Sequence, residues 1–187
     1  WAGRLIGWKH PDASIKAAYE LKKKGYSFQL DIIGNGEMEQ QLKQMIQEMD
    51  LSDCVKMLGA MSPVQVREHM ERADIFLFTS DQNEGWGAVL NESMNSGCVV
   101  IANQVIGSVP YLVKDGENGL TYYSDIDLLK QIENVIVNPE SFMKLGQNAY
   151  STIKEEWNSF IAAQRLLLLI ENNVEGQRWE SGPVSLA

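Results

Sequence analysis

Two carboxylates eight residues apart, Glu84 and Glu92, stand in the segment Asp81-Gln-Asn-Glu-Gly-Trp-Gly-Ala-Val-Leu-Asn-Glu-Ser-Met-Asn-Ser-Gly97. Carboxylates accept hydrogen bonds from paired hydroxyls, which suits them to a sugar or a ribose. Gly85 and Gly87 flank Trp86 where a helix is expected to begin. Glycine there lets backbone come close to a ligand, and a helix start offers unpaired N–H groups. Glu92 falls about two turns into that helix, on the ladder that includes Ala88, and so on its inward side. Either glutamate alone would serve equally well as a solvated side chain or as one favoured by the helix dipole. The glycines, the spacing and the flanking strands together select a binding site.

Arg4 and Lys9 lie five residues apart in what reads as the loop after a first strand. An Arg fork and a Lys point charge there suit a phosphate or diphosphate, with two solvated loop cations as the other reading. Gly34-Asn35-Gly36 invites comparison with a dinucleotide fingerprint, but that pattern needs glycine at position 39, which is Glu39. A plain tight turn is the better reading, with a backbone facing a nucleotide as the option left open. Asp125-Ile126-Asp127 has the form of a metal-holding Asp-x-Asp, yet it opens an amphipathic helix, where aspartates cap. His10 and His69 have no ligand partners at metal spacing, so no metal site is expected. No nucleophile elbow or P-loop is present.

The elements that would position these groups follow from periodicity. Asp74–Thr79 and Cys98–Ala102 are apolar strands on either side of the acidic segment, which makes one βαβ unit with its loop at the carboxyl edge of the sheet. Trp1–Leu5 reads as the end of a strand, and further strands are expected at 28–33, 55–58 and 120–123. Helices are expected from Pro11 to about Gly25, over 38–49, from Ser62-Pro63 to about Arg72, over 125–137, from Pro139, and over 155–172. The alternation predicts an α/β, Rossmann-like parallel sheet with helices on both faces. One domain over residues 1–172 is expected, with a loosely ordered tail over 173–187.

Composition narrows the classes. Of 187 residues, 44% are hydrophobic and 22% charged, as in ordinary globular domains. The net charge of −9 argues against general binding to nucleic acid or anionic membrane, though not against one small anion held by local cations. No apolar run approaches the roughly 18–20 residues that span a bilayer. Cys54 and Cys98 lie in apolar runs and read as reduced thiols of a cytoplasmic protein. A chain opening on Trp1 reads as a piece whose natural start lies upstream.

With these residues in view, the chain resembles the C-terminal, donor-binding domain of retaining glycosyltransferases of the GT-B fold, the glycosyltransferase group 1 (family 4) enzymes. The resemblance rests on Gly3-Arg4-Leu5 with Lys9, Ile33-Gly34-Asn35-Gly36-Glu37, Leu58-Gly59, Ser80 with Glu84-Gly85-Trp86-Gly87, Glu92-Ser93-Met94-Asn95-Ser96-Gly97, Asp115-Gly116-Glu117-Asn118-Gly119-Leu120 and the region of Trp157. It implies that Arg4 and Lys9 bind the diphosphate of a nucleotide sugar, that Glu84 lies against the donor sugar, and that Glu92 binds the ribose. It places backbone N–H groups near Gly87 and Ala88 on phosphate and Met61 beside the base. Gly3, Gly34, Gly36, Gly85 and Trp86 complete the implied donor-binding set.

The resemblance further implies transfer of a hexose from a UDP- or GDP-sugar to a glycan or lipid-linked acceptor, without a metal or other cofactor. Arg4, Lys9 and Glu84 would be the catalytic residues. It implies a partner N-terminal acceptor domain outside this chain, so that this piece alone is expected to be inactive. Apolar surface on the final helices, which in such folds return toward that domain, would then be left bare. The location implied is cytoplasmic, with the cytoplasmic face of a membrane as an option for the longer protein. Three departures bear on the sugar: Ser108 where a second glycine is usual, Tyr111 where glutamate is usual, and Trp86 where phenylalanine is usual. A non-catalytic nucleotide-sugar-binding module and a GT-B sugar-nucleotide epimerase remain as other readings.

Overall fold

A computed structural model describes residues 1–171, 179 and 181–184. Parallel strands β1 (Leu30–Ile33) and β2 (Val55–Gly59) pair with each other. Strands β3 (Ile75–Phe78), β4 (Val99–Asn103) and β5 (Leu120–Tyr122) form a second parallel group in that order. The helices that precede, join and follow them are α1 (Pro11–Lys23), α2 (Glu39–Glu48), α3 (Pro63–Arg72), α4 (Val89–Asn95), α5 (Val109–Leu112) and α6 (Asp125–Val137). Two more, α7 (Pro139–Glu155) and α8 (Ser159–Glu171), follow.

Strands β3 and β4 are buried on both faces, which is why each is a continuous apolar run without alternation. Leu77, Ile101 and Leu120 turn to one core with α1, α2 and α6, where Ile15, Leu42 and Leu128 meet them. Phe76, Phe78, Val100 and Ala102 turn to the other, against Met70 of α3, Leu90 and Met94 of α4, and Ala149 of α7. Prolines open α1, α3 and α7, where the missing N–H costs nothing. Ser62 and Gln65 complete a capping box at α3. The cap of α6 is Ser124, which accepts from the Asp127 N–H and donates to its carboxylate, so the Asp-x-Asp is spent on helix initiation beside a serine cap.

Two expected elements differ. Trp1–Leu5 makes only a single parallel bridge, Ala2 to Ile33. The final helix, expected over 155–172, starts later: α7 runs on to Glu155, and α8 begins at Ser159. Asn158 sets that start, because its side chain accepts from the Ile161 N–H at 2.9 Å and caps the new helix. Phe160, Leu166, Leu167 and Ile170 of α8 are exposed. Most of the tail expected from residue 173 lies outside the described residues. Among the described residues both cysteines are free, and no helix is long and apolar enough to cross a membrane.

Helix α7 reaches the turn between α4 and β4 through Gly146, where a Cβ would stand 2.2 Å from the Gly97 carbonyl oxygen. Gly146→Ala is therefore expected to lower unfolding stability in urea by about 1–3 kcal/mol. At Gly7 an added Cβ meets nothing within 4 Å. Gly7→Ala should change stability by less than about 0.5 kcal/mol.

Candidate functional site

The site begins with a close backbone approach. Past Ala2 the chain lies along the turn after β1, with Gly3 N–H donating to the Ile33 carbonyl at 3.0 Å and Leu5 N–H to Asn35 at 2.8 Å. A Cβ on Gly34 would stand 1.8 Å from the Gly3 oxygen, and one on Gly36 would stand 2.4 Å from the Leu5 oxygen. Only glycine fits at either position. The Gly34-Asn35-Gly36 turn is thus a bed for the first loop, and this is what its two glycines are for.

From that bed the loop rises through a short turn at Gly7–Lys9 to His10, whose φ of 45° is left-handed, and enters α1. The end of β3 ties it down. Thr79 Oγ1 donates to the Lys9 carbonyl at 2.8 Å and accepts from Trp1 Nε1 at 2.8 Å. Asp81 N–H donates to the Trp8 carbonyl at 2.9 Å, and His10 Nε2 lies 3.1 Å from the Asp81 carboxylate. The Asn83 backbone N–H, with His10 adding to it, holds the Asp81 carboxyl below its usual range.

These ties bring Lys9 to Glu84. The ammonium pairs with Glu84 Oε2 and sits 4.6 Å over the Trp8 ring. Ser80 Oγ donates to the same carboxylate oxygen at 2.9 Å, and the Glu84 residue is buried. An ion pair formed across so much of the sequence is fixed only by the meeting of two strand ends.

A cavity of about 460 Å³ opens beside the pair. Of the residues expected at a binding site, Gly3, Arg4, Lys9, Gly34, Met61, Glu84, Gly87, Ala88 and Glu92 line it. Arg4 and Glu92 are both exposed. Among the described residues neither side chain has a hydrogen-bond or ion-pair partner. A cation and an anion are thus uncommitted on one cavity whose other pair is already joined. Trp8, Ala60 and Val66 also line it and were not anticipated.

Gly36, Gly85 and Trp86 do not line the cavity. Gly36 lies under Leu5, and the Gly85 carbonyl lies under Gly107, where a Cβ would come within 2.0 Å of it. The Trp86 ring turns instead to Trp157 and Tyr111, at 5.4 and 5.9 Å between centroids, and donates from Nε1 to Asn91 at 2.9 Å. Gly87, on the cavity wall, is also required by packing: its φ is +67° and a Cβ would strike the Phe78 ring at 2.4 Å. Ser108 is fully buried with its hydroxyl unpaired. Thr79, Asp81 and His10, which hold the site together, were not singled out from the sequence. A hydroxyl closing an apolar strand was the signal available for Thr79.

A parallel α/β layer structure with its charged cleft at the carboxyl edge is the general arrangement of doubly wound ligand-binding domains, GT-B glycosyltransferase halves among them. The chain belongs to the family Glycosyl transferases group 1, whose profile matches residues 1–152. It is 31% identical over 175 residues to the amylovoran biosynthesis glycosyltransferase AmsK of Erwinia amylovora, covering 90% of this chain and 43% of that protein. An uncharacterized glycosyltransferase of Haemophilus influenzae is 28% identical over 169 residues, covering 85% and 47%. The chain thus spans less than half the length of these relatives. Its fold matches Anabaena Alr3699/HepE in complex with UDP at a TM-score of 0.79, with 22% identity, covering 91% of this chain and 47% of that one. It also matches the C-terminal domain of the group 1 protein LpcC from Francisella tularensis at 0.72, with 22% identity and 82% of each chain covered.

The Thr79 hydroxyl is the joint on which the first loop rests. Thr79→Val leaves Trp1 Nε1 and the Lys9 carbonyl unpaired and is expected to cost about 1–3 kcal/mol in chemical denaturation. Thr79→Ser should retain most of that stability.

Proposed function

We propose that this chain is the donor-binding half of a retaining glycosyltransferase that moves a hexose from a nucleotide diphosphate sugar to a glycan or lipid-linked acceptor. The observation that carries this reading is the single cavity lined by Arg4 and Lys9 together with Glu84 and Glu92. Breaking the bond between sugar and diphosphate leaves negative charge on phosphate and electron deficiency on the sugar. Two preplaced cations stabilise the first in a site of reduced dielectric, and no metal is needed for that task. Glu84, held by Ser80 and Lys9, faces the sugar, while the free Glu92 carboxylate takes the ribose hydroxyls. Met61 borders the base.

Support comes from relatives and neighbours. HepE has been crystallised with UDP-glucose, and the pneumococcal O-GlcNAc transferase GtfA with UDP and GlcNAc. AmsK is named for amylovoran biosynthesis. The acceptor is proposed to bind a second domain of a longer cytoplasmic protein, so this chain binds donor without turning it over.

Titration of the labelled chain with UDP or UDP-glucose should shift NMR signals of residues 3–9 and 84–92. Arg4→Ala should weaken binding about tenfold or more, as loss of charge-assisted bonds worth about 1.5–3 kcal/mol requires. Shifts confined to the opposite edge of the sheet, with Arg4→Ala neutral, would overturn the assignment.

A further inference from the structure

His10 holds a backbone conformation that its residue type seldom takes. Among the described residues, a positive φ outside glycine occurs at His10, Asp50 and Val184. The Cβ crowds a carbonyl oxygen there, so such a residue persists only where its surroundings over-determine it, and functional sites are where that strain is kept. His10 also stands at the N-cap of α1 without giving that helix a side-chain bond. Glycine would relieve the backbone, and serine or asparagine would cap the helix. Neither the backbone nor the helix gains from a histidine.

The ring instead reaches across to the loop after β3, where Nε2 lies 3.1 Å from Asp81 Oδ2. The two side chains are 44% and 23% exposed, so the imidazole can exchange protons with water while its partner stays half sheltered. The Asn83 backbone N–H donates to the Asp81 carboxylate at 2.8 Å and keeps it ionised through the range in which an imidazole titrates. Two further ties from the end of β3 hold the carbonyls of Trp8 and Lys9, from Asp81 N–H and Thr79 Oγ1. The ring is the third tie, and alone of the three it changes charge near neutral pH. The other charged groups at this end of α1 and in the loop after β3 are taken: Glu84 by Lys9, and Asp12 by Lys16. His69, the second histidine of the sequence, lies beside Asp31 at 3.4 Å and does not line the charged cavity.

We propose that His10 is a positioning residue for Lys9, and that protonation of its ring, by drawing it onto Asp81, tightens the hold of the cleft on the diphosphate of a nucleotide sugar. This inference rests on the donor-site reading and adds regulation to it. A protonated ring pairs charge with charge and pins the backbone beside Lys9 to the end of β3, whereas a neutral ring keeps one ordinary hydrogen bond. Linkage fixes the sign. Protonation that favours the ligand-ready loop is favoured equally by the ligand, so binding takes up protons and weakens as pH rises.

The test is calorimetry with UDP-glucose at about pH 6 and about pH 8, on either side of the imidazole range. The diphosphate of this sugar ester does not titrate in that interval. The unmodified chain should bind about two- to fivefold more tightly at the lower pH, the size an exposed ion pair allows, and should take up protons as it binds. His10→Gly accepts the left-handed backbone without strain, so it keeps the fold and should bind equally at both. Asp81→Asn retains an oxygen for the Asn83 N–H and should flatten the profile too, while His69→Gln should preserve it. Equal affinity of the unmodified chain at the two pH values would overturn the inference and leave the donor site standing. So would a profile that survives in His10→Gly, or one that survives in Asp81→Asn, where the ring would be meeting the ligand itself. Absence of binding at either pH would overturn the donor site and this inference with it.

Discussion

Everything at the charged cleft depends on how closely two stretches of backbone can approach. The first loop runs against the turn after β1, and at Gly34 and Gly36 no side chain of any size fits between them. Hydrogen bonds from Gly3 and Leu5 fix the loop in that bed. Arg4 is thereby delivered to the cavity, and Lys9 is carried to within reach of β3. The parallel sheet makes this possible because consecutive strands end at the same edge, so a loop after one strand meets the loop after another.

The second requirement is that the two charges which meet there be stable before any ligand arrives. Lys9 and Glu84 are both largely out of water, a position that costs free energy unless each is fully partnered. Ser80 and the Trp8 ring supply the additional partners, and Thr79 and Asp81 hold the loop backbone that bears the lysine. Arg4 and Glu92 differ, being exposed and uncommitted. One pair gives the cleft its shape, and the other is free to meet a ligand on first contact.

Much of this was legible in the sequence because it rests on local signals. Apolar runs gave the strands, prolines and serines gave the helix starts, and the spacing of Glu84 and Glu92 gave a shared cavity. What escaped was tertiary in origin. Gly34 and Gly36 read as a plain turn because the carbonyls of Gly3 and Leu5 that exclude a side chain come from a distant segment. Gly87 read as a ligand approach, and the second demand on it, the ring of Phe78, was invisible because that ring comes from β3. Trp86 read as part of the site, but Trp157 and Tyr111 draw its ring elsewhere. The start of α8 was local and still placed early, at Glu155 rather than Ser159, since Asn158 sits inside an unbroken amphipathic pattern.

The central claim is that Lys9 and Glu84 form one unit whose lysine meets the diphosphate. The direct test is calorimetry of UDP binding to the unmodified chain, Lys9→Ala, Glu84→Gln and the double variant. The expected result is weaker binding on Lys9→Ala and a coupling between the two sites of at least about 0.5 kcal/mol, because Glu84 sets how available the lysine is. Affinity unchanged by Lys9→Ala, with or without Glu84→Gln, would contradict it.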